Sequence, residues 1–276
     1  MTDDAAKGAG PAPVPASTVL LVRDRTDGLE VLMVVRHDEV DFAAGAAVFP
    51  GGKLDAGDRD PALKDRVRTA DGLDELQVAL RIGAIREIFE ECGMLMAYPR
   101  GSDQFVDAAR LGTLLDAYRT PLEAGDLTMG EFAVKEDLVF SCDDLVNFAH
   151  WITPAVRRKR FDTYFFVAAT PENQIAVHDG REAVDSVWIT PGQALDDYKA
   201  GLRTIIFPTR LNLRKLGRSS TTAEALAAAR ASRIVTVLPE VANTPNGRVI
   251  RIPKEADYGV HEVDFDTIAN ENRMKG

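Results

Sequence analysis

The stretch "AIREIFEECGML", residues 84 to 95, constrains this chain more than any other. Successive helical residues rotate by about 100°, so with Glu87 at zero Glu90 falls near about 300° and Glu91 near about 40°. Three carboxylates share one narrow face. Ile85, Ile88, Phe89 and Cys92 fall on the opposite side and address a core. Carboxylates this close repel, and without compensation at least one takes up a proton near neutral pH. A divalent cation relieves the conflict. Oxygen ligands on a partly open face suit Mg²⁺ or Mn²⁺, which commonly keep several waters and share other positions with substrate phosphates. Gly93 then ends the helix in a left-handed conformation. The alternative is a surface helix with an acidic stripe. Against that alternative stands "FPGGKLDAGD", residues 49 to 58, which follows a strand-like run. It supplies a pair of adjacent glycines and two further acids, where a backbone carbonyl could join a metal and amides could approach phosphate.

The rest of the chain reads as an α+β fold. "STVLLVRDRTDGLEVLMVVRHD" holds two β-rich runs around a Thr-Asp-Gly turn signal, a hairpin over about residues 17 to 36. "AAVF" is a third run, and residues 73 to 92 take helical spacing. Residues 103 to 150 read as mainly helical, an insertion without strong strand alternation. "RFDTYFFVAA" and "REAVDSVWIT" read as strands, followed by a helix opened by Pro191 and two more over about 208 to 231. β character returns around "RIVTVLP" and "GRVIRI".

Composition narrows the function classes. The chain has 276 residues, and no uninterrupted apolar run reaches the roughly 20 residues of a membrane helix. No membrane span is expected. A net charge of -10 argues against general affinity for nucleic acid. Cys92 and Cys142 lack CxxC-type spacing and read as plain buried thiols of a reducing, cytoplasmic protein. Residues 1–16 are small, acidic and Pro-rich and read as a flexible tail rather than a signal peptide.

"GGKLDAGD" followed by "REIFEECGML" resembles the Nudix box, Gx5Ex7REUxEExGU with U apolar. Gly52, Arg86, Glu87, Ile88, Glu90, Glu91, Gly93 and Met94 match, and Asp58 replaces the first glutamate. The spacing departs: 27 residues separate Asp58 from Arg86, where the pattern has seven. A long insert inside the box also marks the branch, motif 19 in mammals, whose members hydrolyse acyl-coenzyme A. "VFPGGKLDAGDRD", "RIGAIREIFEECGMLMAYPR", "HWITPAVRRKRFDTYFF" and "EAVDSVWITPGQAL" are similar to its segments in the same order. The resemblance implies a Nudix α/β/α sandwich, a mixed β-sheet flanked by helices, over residues 17–255 with insertions at about 59–80 and 103–150. A polar C-terminal tail, 256–276, would follow.

It also implies a chemistry: water attacks phosphorus in a diphosphate, with Mg²⁺ or Mn²⁺ on Glu87, Glu90 and Glu91. The Gly51 carbonyl would be a further ligand, and Arg86 would orient the glutamates through charge-assisted hydrogen bonds. Asp58 would have a supporting role. Glu182 stands where related sequences often place an acid that pairs with the box arginine. Coenzyme A hydrolases of the superfamily often carry LLTxRSxxMRxHxGxVxFPGGxxD upstream, and "VVRHDEVDFAAGAAVFPGGKLD" keeps Arg36, Gly45, Phe49, Pro50, Gly51, Gly52 and Asp55 of it. The implied substrate is therefore coenzyme A or an acyl-coenzyme A, with NADH, ADP-ribose, nucleotide sugars and dinucleoside polyphosphates as alternatives. A nucleotide-binding Nudix module without catalysis is the alternative of another class. Arg36, Gly52, Lys53, Arg157, Arg158 and Arg160 are candidate contacts for such an anion. The arginines could equally be a solvated basic loop, and Trp151, Phe161, Tyr164 and Phe165 could stack on adenine or fill a core. The helical additions and the extended tail could serve a homodimer.

Overall fold

The expected hairpin lies at the centre of the main sheet. This computed structural model describes residues 11–36, 45–69, 72–176 and 183–265. β1 (Val14–Arg25) and β2 (Gly28–Arg36) pair antiparallel through a turn at Gly28, whose φ of 113° favours glycine. On its other side β1 runs parallel to β9 (Phe161–Ala169). A central strand is covered on both faces, which is why "STVLLV" is apolar without alternation. β10 (Ala183–Ile189) borders β2, β8 (Val146–Ile152) borders β9, and β11 (Thr236–Val237) borders β8. The short β3 (Ala47–Val48) and β4 (Gly51–Lys53) add to β2 and β1.

Each face of this mixed sheet carries helices. α1 (Glu75–Cys92) is opened by Asp74, whose carboxylate accepts from Gln77 N, and closed by Gly93 at φ 62°. A cap of this kind contributes about 1 kcal/mol. Ile82, Ile85, Ile88 and Phe89 pack in one core with Val19 and Leu21 of β1, Leu32 and Val34 of β2, and Phe166 of β9. Side chains alternate along a strand. Leu20, Val22, Val31, Met33 and Val167 therefore point the other way, under α4 (Pro191–Lys199), α5 (Phe207–Leu216) and α6 (Thr222–Ala231).

The two expected insertions fold on one another. After two 3-10 turns, Ala56–Arg59 and Pro61–Asp65, the box insertion forms β5 (Val67–Arg68). Just before the second segment comes β6 (Ala97–Pro99), and the segment itself contributes α2 (Ala108–Glu123), α3 (Met129–Lys135) and β7 (Leu138–Ser141). β5, β7 and β6 make a separate three-stranded sheet in that order. Thr128 donates to Asp60 and Arg66 pairs with Asp137 across the same seam.

Several expectations change at the edges. Residues 103 to 150 are not mainly helical at their end, since β7 and β8 occupy 138–141 and 146–152. β7 is short and almost wholly buried, and β8 has a register shift between Asn147 and Ala149, so neither shows a clean period of two. β1 begins at Val14, inside the expected N-terminal tail, and Arg160 donates to the Pro11 carbonyl beside it. The C-terminal stretch forms a third sheet from β12 (Glu240–Thr244), β13 (Gly247–Arg251) and β14 (Glu262–Asp264). Tyr258, inside the expected polar tail, is 2% exposed and packs in the second core. Among the described residues no helix is long and apolar enough to cross a membrane.

Candidate active site

α1 presents Glu87, Glu90 and Glu91 where the helical wheel puts them, but not to open solvent. They are 9%, 9% and 6% exposed, because β4 and the first 3-10 turn lie across the acidic face. The glycine pair makes this approach feasible. A Cβ on Gly52 would stand 2.3 Å from Glu87 Oε1, and one on Gly51 would stand 2.3 Å from the Ser17 carbonyl. Gly51 also has a φ of 149°. Antiparallel strands alternate between bonded and non-bonded pairs. Val19 N bonds Pro50 O, so Gly51 falls at a non-bonded position and its N–H donates instead to Glu91 Oε2 at 2.9 Å.

Arg86 sits in the middle of the acids. Nε and Nη2 grip Asp58 at 3.0 and 3.2 Å, Nη1 reaches Glu87 and Glu90 at 2.9 and 3.0 Å, and Nη2 also reaches the Lys53 carbonyl at 2.9 Å. All of its N–H donors are engaged. Burial alone would lower the arginine's pKa, but Glu87, Asp58 and Glu90 raise it, so it stays charged. Asp58 is 1% exposed and belongs to a capping box in which Asp55 N donates to its Oδ2. Burial lifts the Asp58 carboxyl above the ordinary range against the pull of Arg86. Gly83 leaves it room, since a Cβ there would stand 2.8 Å from Asp58 Oδ2.

Glu90 is the odd member of the group. One oxygen accepts from Arg86, whereas Oε1 is buried without a hydrogen-bond partner. Burial, with Glu87 and Glu123 adding repulsion against the pull of Arg86, pushes its carboxyl up to about 8. An orphaned buried carboxylate oxygen among acids is what a cation would satisfy. Among the described residues no group of three or more His, Cys, Asp or Glu side chains is placed to hold a metal ion as the side chains stand. Arg86 fills the centre of the acid cluster, so the fit is to the Glu90 and Glu91 side, where the Gly51 backbone also faces away from β1.

The other candidates lie apart from this cluster. Lys53 is exposed at the end of β4, with its carbonyl on Arg86. Arg157 and Arg158 are exposed in the β8–β9 turn, while Arg160 is partly buried and donates to the Thr153 and Pro11 carbonyls. Arg160 thus holds backbone together. Trp151 and Phe165, at 4% and 7% exposure, are core residues. Arg36 ends β2, but its side chain, like all of Glu182, lies outside the described residues. Neither cysteine is in a disulfide, and both are buried.

This arrangement has relatives. A family model for the NUDT19 Nudix domain matches residues 58–216, more than half of the chain. The chain belongs to the NUDT19 Nudix family. Within that family it resembles "Acyl-coenzyme A diphosphatase NUDT19" of Xenopus laevis, 25% identical over 217 residues. The human protein of the same name is 27% identical over 211 residues. These matches cover 64% and 62% of this chain but only 57% and 56% of the relatives. A solved Nudix hydrolase from Alicyclobacillus acidocaldarius shares the fold, with a TM-score of 0.63 at 24% identity over 78% of this chain and 96% of that one. The α+β Nudix architecture expected from the box is the one observed. Arg119 and Glu123, which border Glu90 from α2, had no signal in the sequence, because their relation to the box exists only after the insertion has folded back.

Proposed function

We propose that this chain is a divalent-metal-dependent diphosphatase whose substrate is coenzyme A or an acyl-coenzyme A, cleaved to 3',5'-ADP and (acyl-)phosphopantetheine. The observation that carries the metal-dependent reading is the Arg86-centred acid cluster with the unpartnered Glu90 Oε1. The substrate rests on the activity by which its relatives are named, acyl-coenzyme A diphosphatase.

Glu90 and Glu91 would hold Mg²⁺ or Mn²⁺ together with the Gly51 carbonyl, and Glu87 would join when released from Arg86. The metal supplies charge neutralisation at phosphate and a lower pKa for bound water. Arg86 keeps the carboxylates oriented, and Asp58 keeps Arg86 in place. One carboxylate near the attacking water takes its proton as the oxygen bonds to phosphorus and the bridging P–O bond breaks. The Gly51–Gly52 strand leaves backbone, not side chain, beside the phosphates. Lys53 and the exposed Arg157 and Arg158 could bind the remaining anionic groups.

The test is a product screen by mass spectrometry. Metal-loaded protein is offered coenzyme A, acetyl-coenzyme A, ADP-ribose, NADH and diadenosine polyphosphates. Release of 3',5'-ADP supports the substrate; cleavage of another diphosphate keeps the chemistry and replaces the substrate. Inertness toward all of them favours a binding module. Glu90→Gln should lower turnover by orders of magnitude with the fold retained, whereas Glu172→Gln, on an exposed turn, should be silent. Near-normal turnover in Glu90→Gln would remove the metal-site argument.

A further inference from the structure

The last turn of α1 carries two of the three box glutamates, and its backbone is completed by the insertion. The final four carbonyls of a helix have no partner within it. At Gly93 the chain turns left-handed, and the Gly93 N–H returns to the Phe89 carbonyl at 3.2 Å while the Met94 N–H returns to the Ile88 carbonyl at 3.4 Å. The next carbonyl, that of Glu90, is met from outside. Arg119 Nε, on α2, donates to it at 2.7 Å. α1 has no basic residue of its own in this turn, where Glu90 and Glu91 stand, so α2 supplies the cation that suits the negative end of its dipole.

Arg119 is itself held. Its side chain is 16% exposed, and Nε also lies 3.6 Å from Glu123 Oε1, one turn further along α2. Beside it Tyr118 donates to Glu136 Oε1 at 2.6 Å, and the Tyr118 ring packs on Phe132 of α3 with centroids 4.9 Å apart. Phe132 in turn meets Phe89 of α1 at 5.4 Å. The insertion thus grips the end of α1 at two successive residues, by ring packing at Phe89 and by a charge-assisted hydrogen bond at Glu90. Reacting groups tolerate little displacement: about 1 Å can cost about 10²-fold in rate.

We propose that Arg119 is a positioning residue of the reaction. By closing the Glu90 carbonyl it fixes the last turn of α1, and with it the directions of the Glu90 and Glu91 side chains. This inference rests on the diphosphatase reading above. It assigns the second insertion a role in turnover, as the support that holds the acid-bearing turn in place.

Arg119→Met keeps the length of the side chain and removes its donors and charge, whereas Arg119→Lys keeps the charge and an N–H donor. Tyr258→Phe, in the other core, is the destabilised control. With coenzyme A, or the diphosphate that the product screen shows to be cleaved in its place, and saturating Mn²⁺, kcat per folded molecule should fall about tenfold or more in Arg119→Met. KM should stay within about twofold, because Arg119 acts through α1 and not on the substrate. Arg119→Lys should recover part of the loss, and Tyr258→Phe should turn over as wild type does. Hydrogen exchange gives a readout that needs no substrate: the amides of residues 90 to 94 should exchange faster in Arg119→Met and at the wild-type rate in Tyr258→Phe. Unchanged kcat in Arg119→Met would overturn the positioning role and leave the diphosphatase reading standing. A raised KM at unchanged kcat, or a fall in kcat without faster exchange, would overturn it as well, since Arg119 would then act on the substrate directly. Wild type inert toward every diphosphate offered would remove the diphosphatase reading and this inference with it.

Discussion

Arg86 grips both carboxylate oxygens of Asp58, Nε on Oδ1 at 3.0 Å and Nη2 on Oδ2 at 3.2 Å, across a chain separation of 28 residues. The box insertion leaves the strand-loop and the helix of the box in contact because this fork closes over it. The insertion is in turn fastened to the second one, through Asp60 and Thr128 and through β5 on β7. Neither excursion hangs loose from the site.

Removing one member of a buried, hydrogen-bonded ion pair strands the other. Asp58→Ala leaves Arg86 with Glu87 and Glu90 but takes away its bidentate partner and the acceptor of Asp55 N–H. The expected cost is about 3 kcal/mol, read as a lower urea midpoint with an unchanged slope. A midpoint equal to wild type would mean that the fork contributes nothing to stability.

Gly51 and Gly52 should fail differently. An added methyl at Gly52 meets the far end of the Glu87 side chain, which can swing away, so Gly52→Ala should fold normally and lose activity as Glu87 is displaced. At Gly51 the obstacle is backbone, the Ser17 carbonyl and Thr18 Cα, and φ is positive as well. Gly51→Ala should therefore lose stability, by more than the roughly 1 kcal/mol of an ordinary glycine replacement. Calorimetry on both variants, beside turnover, separates the two. Equal melting temperatures would contradict the distinction.

Tyr258 donates to Asn212 Oδ1 and accepts from Trp151 Nε1, both at 2.8 Å, in a site where all three residues are buried. Tyr258→Phe keeps the ring and leaves the indole N–H unsatisfied. A loss of about 1–3 kcal/mol is expected, measurable by chemical denaturation. An unchanged midpoint would show that the C-terminal sheet docks by ring packing alone.

The legible part of this molecule was the part with local periodicity. α1 declared itself through a 3.6-residue apolar face and Gly93 after it, and the three glutamates followed from the wheel. The β1–β2 hairpin was equally plain. What stayed hidden depends on distant partners. β7 and β8 carry no clean alternation because one is nearly all buried and the other bulged. Tyr258 stands in a polar stretch and is recruited to the core by Trp151 and Asn212. The wheel showed that the glutamates share a face, but not that β4 and the 3-10 turn would bury it, nor that Arg86 would sit between the carboxylates.

Cys142 supplies a pH test away from the site. Burial pushes its thiol up to about 12 from an ordinary 9.0, with Asp143 adding to the rise and Arg81 opposing it. The folded pKa is the higher one, so the unfolded chain releases this proton first. The thiol's contribution is intact below about pH 9 and is lost progressively as pH rises from there toward 12. Between pH 8.5 and 10.5 wild type should lose about 2 kcal/mol more stability than Cys142→Ala, whose own cavity cost is independent of pH. The same burial should keep Cys142 unreactive toward a thiol reagent at pH 8 until the protein is unfolded. Parallel stability curves for the two proteins, or rapid native-state labelling at Cys142, would show that the thiol ionises in the fold as it does in water.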